Sequence, residues 1–151
     1  MAERFDLIVF DWDGTLMDSA GAIVRAMQAA TRDLGLAEIP EERARYVIGL
    51  GLGDALRHAV PDLDEASYPR MVERYRHHYL SSDHELTLFD GMAEMIDALA
   101  ARGHMLAVAT GKSRLGLNRA LGHYGLGAYF HATRCADECF SKPHPAMLEE
   151  L

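Results

Sequence analysis

A short apolar run, Leu7-Ile8-Val9-Phe10, is cut off by two carboxylates one residue apart, Asp11 and Asp13, and then by Gly14 and Thr15. A run of that length, rich in β-formers and bounded by turn residues, reads as a buried strand. An aspartate pair in such a place is in general a turn or helix-cap signal. Whether it is more than that depends on what the rest of the chain brings beside it.

After this first strand the pattern turns helical. Asp18 to about Leu34 carries Ile23, Val24, Met27, Ala30, Thr31 and Leu34 on one face, with Asp18 or Ser19 as its cap, the role expected of Asp18 in particular. Further helices are expected from Pro40 to Val47, from Asp54 to Val60 and from Glu65 to Leu80, the last with a stripe of Tyr68, Met71, Val72, Tyr75 and Tyr79. The block from 18 to 84 contains no convincing strand. Beyond it the rhythm changes. Gly91–Arg102 is an amphipathic helix, Met105–Ala109 a second buried strand, Ser113–Tyr124 a helix closed by Gly125, His131–Arg134 a weaker strand, and a last helix runs from Pro145 into Leu151. Strand and helix in alternation predict an α/β fold with a Rossmann-like parallel sheet. The organisation expected is a core of residues 1–17 and 85–151 with a helical insertion, residues 18–84.

Composition narrows the function. The 151 residues suit one ordinary domain with a small insertion, and 49% apolar content is enough for a core. A formal charge of −8 argues against general nucleic-acid binding. No apolar run approaches the roughly 20 residues of a membrane helix, and the N-terminus lacks the pattern of a signal peptide. Two cysteines, Cys135 and Cys139, have no zinc-type partners and read as free thiols of a cytoplasmic protein, one in the core and one at the surface.

In open parallel sheets, sites form at the carboxyl ends of the strands. Asp11 and Asp13 lie at the end of the first. Thr110, Gly111 and Lys112 lie at the end of the second, in VATGKS, and Lys142 follows the third, in SKPHP. Two carboxylates, a hydroxyl with backbone donors and one or two ammonium groups would meet at one edge. A carboxylate can attack phosphorus and form an aspartyl-phosphate if the repulsion between anions is screened. A divalent cation on carboxylate and carbonyl oxygens supplies that screening, and Mg²⁺ suits it. Phosphoryl oxygens need donors, and the leaving alkoxide needs a proton from a second carboxyl. A P-loop reading of TGKS fails, because the Gly it requires five residues before the Gly-Lys pair is Leu106.

The segment DWDGTLMDS resembles the first signature of the haloacid dehalogenase-like hydrolase superfamily, in its DxDGT phosphatase form. VATGKS resembles the second signature and the Lys of SKPHP the third. The spacing is similar to that of the members with a helical cap after the first motif, such as phosphoglycolate phosphatases and β-phosphoglucomutases. The resemblance implies Asp11 as nucleophile and Asp13 as general acid and then base. It implies Mg²⁺ on Asp11 and Asp13, and Thr110, Gly111 and Lys142 around the phosphoryl group of a small phosphorylated metabolite. A phosphosugar mutase would share the same two acids. A dehalogenase would not need Asp13, and a phosphonate hydrolase would want a lysine in the insertion, where residues 18–84 hold none. A signalling receiver domain would carry its acceptor after the third strand. The family's fourth, acidic signature would lie beyond Lys142, past a helix and another strand, and this sequence does not reach it. The first strand is therefore expected to be an unpaired apolar edge. That favours the N-terminal part of a longer enzyme, with a catalytically silent fragment as the reading from another class.

The remaining features are weaker. Gly49-Leu50-Gly51-Leu52-Gly53 reads as a substrate-facing loop or a plain helix–helix turn. Arg45 and Arg57 read as solvated, His77-His78 as surface or cap–core contacts, and Lys112 as either a surface or a site residue. Tyr75 and Tyr79 are expected to pack in the core, with self-association through them as the other reading.

Overall fold

A computed structural model describes residues 5–151; Met1 to Arg4, at the start of the segment assigned to the core, lie outside it. Three strands, β1 (Leu7–Phe10), β2 (Met105–Thr110) and β3 (Ala132–Cys135), form a parallel sheet in the order β1-β2-β3. The central strand is the most apolar, and Leu106 to Thr110 are all buried. Phe10 pairs with Val108, and Thr110 with Cys135, so the three strands end at one level. Within the described residues β1 pairs only with β2, and its four side chains are half-buried, in line with the expected apolar edge.

Four helices, α1 (Ala20–Asp33), α2 (Glu41–Tyr46), α3 (Leu52–Ala59) and α4 (Tyr68–Ser82), follow β1. They have a hydrophobic cluster of their own. Ile23, Val24, Met27 and Ala30 of α1 meet Leu56 of α3 and Met71 of α4 there, as the 3.6-residue periodicity requires. Helix α4 starts later than Glu65, because the Asp64 carboxylate accepts from both the backbone N–H and the hydroxyl of Ser67 at 2.8 Å and holds a turn before it.

A second cluster lies under the sheet, around Trp12, Leu16, Ile96, Leu106, Val108 and Leu117. Helices α5 (Met92–Ala101) and α6 (Arg114–Tyr124) cover it. Ser113 caps α6 by accepting from the Gly116 N–H, and Gly125, at φ +66°, ends it in the left-handed conformation. The final helix, α7 (Ala146–Glu149), is one turn long, shorter than the sequence pattern suggests.

The two links between the clusters run side by side. The Asp18 N–H donates to the Thr87 carbonyl, and the Phe89 N–H to the Leu16 carbonyl, each at 2.9 Å. This antiparallel contact, with its bridge at Met17 and Leu88, lies outside any strand expected from the sequence. No helix among the described residues is long and apolar enough to cross a membrane.

Candidate active site

Side chains alternate along an extended chain, and that alternation sorts the DWD segment. Trp12 is fully buried in the cluster under the sheet, while the acids on either side of it stand above the strand ends. The indole N–H finds no acceptor among the described residues.

Each acid meets its own lysine. Lys142 Nζ lies 2.8 Å from Asp11 Oδ1 and donates also to the Ala109 carbonyl at 3.1 Å. The Trp12 backbone N–H reaches the same Asp11 oxygen at 2.8 Å. Lys112 Nζ lies 3.3 Å from Asp13 Oδ1, which accepts as well from the Ser19 hydroxyl at 2.8 Å. The second pair sits deeper, with side chains 14% and 11% exposed against 28% and 32% for Lys142 and Asp11. Burial works to lower the pKa of Lys112, but the Asp13 charge and the Tyr79 contact outweigh it and raise the value.

Thr110 is fully buried at the end of β2, where its Oγ1 accepts from the Lys112 N–H at 3.1 Å. Its own hydroxyl proton stays available for donation. Gly111 lies against the loop after α2. A Cβ there would fall 2.7 Å from the Gly49 carbonyl oxygen and would also strike the Leu50 carbonyl, so only glycine fits. Gly49 itself, at φ +100°, approaches both Asp11 Oδ2 and Lys142 Nζ, its virtual Cβ lying 3.7 Å from each. The Gly51 N–H donates to Ser141 Oγ at 2.8 Å. The glycine loop thus lies on the site and is more than a turn between helices.

The structure therefore gathers Asp11, Asp13, Thr110, Gly111, Lys112 and Lys142 at one sheet edge. It adds residues the sequence reading did not place there. Ser19 was expected only as a cap; it holds the N-cap position of α1 without a side-chain cap bond and donates to Asp13 instead. Tyr79 of α4 accepts from Lys112 Nζ at 3.1 Å, and the ammonium stands 5.0 Å from the centre of its ring. Tyr79 also stacks on Tyr75 at 5.9 Å between ring centres. Burial first, then the neighbouring Tyr79 and Asp13, pushes the Tyr75 phenol well above its usual pKa. Both rings line a cavity of about 480 Å³ that runs from Asp13 and Lys112 into the helices. They therefore face the site rather than an outer surface.

Other candidates fall elsewhere. Arg45 pairs with Glu41, Arg57 lies over the Tyr68 ring, and His78 meets Asp33 at 2.7 Å. Cys135 is buried, which pushes its thiol up to about 11, and Cys139 is half-buried. Among the described residues no three His, Cys, Asp or Glu side chains gather as metal ligands. Asp11 and Asp13 offer hard oxygen donors, and a cation that keeps several waters needs only one or two carboxylates plus a substrate phosphate. The donor set fits such an ion.

Known proteins bear on this arrangement. Residues 8–151 match the family model for haloacid dehalogenase-like hydrolases. A 5'-nucleotidase of Pseudomonas aeruginosa is 34% identical over 87% of this chain and 59% of its own length. A phosphoglycolate phosphatase of Agrobacterium fabrum is 32% identical over 91% of this chain and 61% of its own. The chain thus spans about three-fifths of the length of these curated relatives. The crystal structure of a predicted phosphoglycolate phosphatase from Haemophilus somnus 129pt superposes with a TM-score of 0.87 at 26% identity, covering 100% of this chain and 72% of that one. The DWDGT, VATGKS and SKPHP segments, the parallel α/β sheet and the family model agree, and the chain belongs to the haloacid dehalogenase-like hydrolases.

Proposed function

We propose that the protein is a phosphomonoester hydrolase working through an aspartyl-phosphate on Asp11. The observation that carries this reading is the pair of acid–lysine contacts, Asp11 with Lys142 and Asp13 with Lys112, at the carboxyl ends of one parallel sheet. The names of the relatives, a 5'-nucleotidase and a phosphoglycolate phosphatase, support a small phosphorylated substrate.

In the first step an Asp11 carboxylate oxygen attacks phosphorus and the ester P–O bond breaks. The leaving oxygen takes the proton of the Asp13 carboxyl. In the second step Asp13, now a carboxylate, removes a proton from water as that water attacks the phosphorus. The acyl-phosphate bond breaks, Asp11 is restored and inorganic phosphate leaves. Lys142, the Thr110 hydroxyl and the Gly111 backbone bind the phosphoryl oxygens, and Lys142 holds Asp11 in place between turnovers. A divalent cation, Mg²⁺ in this reading, would be held by the Asp11 carboxylate and the Asp13 backbone carbonyl and would neutralise the incoming phosphate.

Residues 18–84 act in the same reading as a cap over a core of residues 1–17 and 85–151, excluding water through the Gly49–Gly51 loop. A cytoplasmic setting accords with the two free thiols. The test is to incubate the intact protein with a phosphomonoester and Mg²⁺, quench in acid and map the peptides by mass. A phosphate adduct on the peptide carrying Asp11, with turnover removed by chelator and by Asp11→Asn, is the expected result. Undiminished turnover in Asp11→Asn would overturn the reading.

A further inference from the structure

The cavity that opens from Asp13, Gly111 and Lys112 does not look like a site for a small anionic leaving group. Its inner wall is made by Ile23 and Met27 of α1, Val47 after α2, Leu52 and Ala55 of α3 and the Tyr75 ring of α4. Among the described residues the neutral polar side chains lining it are Ser113, Tyr75 and Tyr79, its one carboxylate is Asp13, and the backbone of Gly49, Leu50 and Gly111 adds polar groups only at the end nearest Asp13 and Lys112. Its cations are committed or peripheral. Lys112 is held by Asp13 and Tyr79, Arg119 is paired with Asp83, and Arg76 stands on the exposed side of α4. At the mouth two leucines are left in water, Leu80 of α4 at 48% and Leu115 of α6 at 80% exposure, one from each side of the opening.

We infer that this cavity binds the alcohol portion of the substrate, and that the preferred substrates are phosphate monoesters of uncharged alcohols with a compact aromatic or branched aliphatic body. This deepens the phosphatase reading and rests on it. A carboxylate buried against Ile23, Met27 and Leu52 would lose its water without gaining a partner, and a solvent-exposed arginine at the rim repays little of that loss. A purine or pyrimidine would bring more donors and acceptors than the few polar groups of these walls can pair. An apolar body, in contrast, would cover Leu80 and Leu115, fill a volume within the usual range for small-ligand sites and lie against the stacked tyrosines.

The experiment compares kcat/KM of the intact protein, at one fixed Mg²⁺ concentration, for benzyl phosphate, phosphoglycolate and a nucleoside monophosphate. Benzyl alcohol and glycolate both leave as alkoxides, so leaving-group acidity does not dominate the comparison. Benzyl phosphate is expected to exceed both others by at least about tenfold. Two variants follow that ratio: Ala55→Phe, which fills the inner cavity, and Leu115→Asp, which charges a lip residue too exposed to threaten folding. Each is expected to lower the ratio of benzyl phosphate to phosphoglycolate about tenfold. A preference for phosphoglycolate or the nucleotide, or a ratio that neither variant moves, overturns the inference. If no ester is turned over, the phosphatase reading fails by itself. Calorimetric binding of phenethylphosphonate against phosphonopropionate then decides the cavity: tighter binding of the phenyl compound upholds the inference, and equal or weaker binding overturns it.

Discussion

Lys142 Nζ rests 2.8 Å from Asp11 Oδ1, although 131 residues separate the two in sequence. The contact joins the loop after β3 to the end of β1, across the width of the sheet. A lysine so placed neutralises the Asp11 carboxylate, and in the proposed mechanism it would share its protons with the incoming phosphoryl oxygens. Lys142→Met should therefore lower kcat roughly 100- to 1000-fold, the range seen on removing one donor to a developing oxyanion. The thermal midpoint should change little, because both side chains are partly exposed. Steady-state kinetics and a melting curve on the same preparation check both statements.

Lys112 links the other acid to the helical unit. Its ammonium reaches Asp13 Oδ1 at 3.3 Å and the Tyr79 hydroxyl at 3.1 Å, so Tyr79 of α4 reaches Asp13 through one intermediary. Tyr79→Phe keeps the ring beside the ammonium and removes only the acceptor. A fall in kcat of about 3- to 10-fold is expected, the equivalent of one ordinary hydrogen bond felt at Asp13 through Lys112. In a Lys112→Met background the same substitution should do almost nothing, since the partner has gone. A double-mutant cycle on kcat reads this coupling, and additive effects would show that Tyr79 acts by another route.

Much of this was legible in the sequence, and the limits have physical causes. The end of β1 could be read because an apolar run is locally encoded and DxDGT is a specific local pattern. Lys142 was placed by the strand order, which brings the segment after the third strand to the same sheet edge, and by resemblance, since nothing local tells a site lysine from a surface one. Tyr79 was hidden by its own setting: a tyrosine in a helical apolar stripe looks like core, and the stripe does pack on the helical core, but only the fold reveals that the Tyr79 hydroxyl also reaches Lys112. Ser19 was hidden in the same way, because a serine before a helix reads as a cap. The pairing of residues 16–18 with 87–89 escaped notice because such a short contact leaves no alternation to detect.

Gly111 illustrates a constraint that no local pattern announces. Its φ is ordinary, and what excludes a side chain is the carbonyl of Gly49 at 2.7 Å from the virtual Cβ, together with that of Leu50. Gly111→Ala must push the glycine loop away from the strand end. Because the opposing atoms are backbone, relief comes from moving the loop and not from a rotamer change. A loss of about 1–3 kcal/mol is expected, typical of overpacking, with faster proteolysis in the Gly49–Gly51 segment. Gly122→Ala, on α6 with open space around its Cβ, is the control and should be neutral or slightly stabilising. Chemical denaturation and timed proteolysis of the two variants separate these outcomes.

Arg114 and Glu138 set a pH dependence away from the site. The guanidinium donates to both carboxylate oxygens, at 2.7 and 2.8 Å, and also to the Thr133 side chain and carbonyl, tying α6 to β3. Those bonds from Arg114, helped by the Cys135 N–H, hold Glu138 below its usual value of 4.5 against the opposing effect of burial. A depressed folded-state pKa means that the folded protein favours the carboxylate more than the unfolded chain does. The stabilisation is complete above about pH 4.5 and is lost as the pH falls through the folded-state value. Glu138→Gln should therefore melt lower than the parent at neutral pH. The difference should amount to roughly 1 kcal/mol, since a bidentate pair is favourable but these side chains are nearly a third exposed. The gap should narrow as the pH drops below about 4.5, where the parent loses the same charge. Melting curves of both proteins taken at intervals from neutral to acid pH measure it, and a gap that stays constant to the acid limit would mean that the glutamate acts through packing and not through its charge.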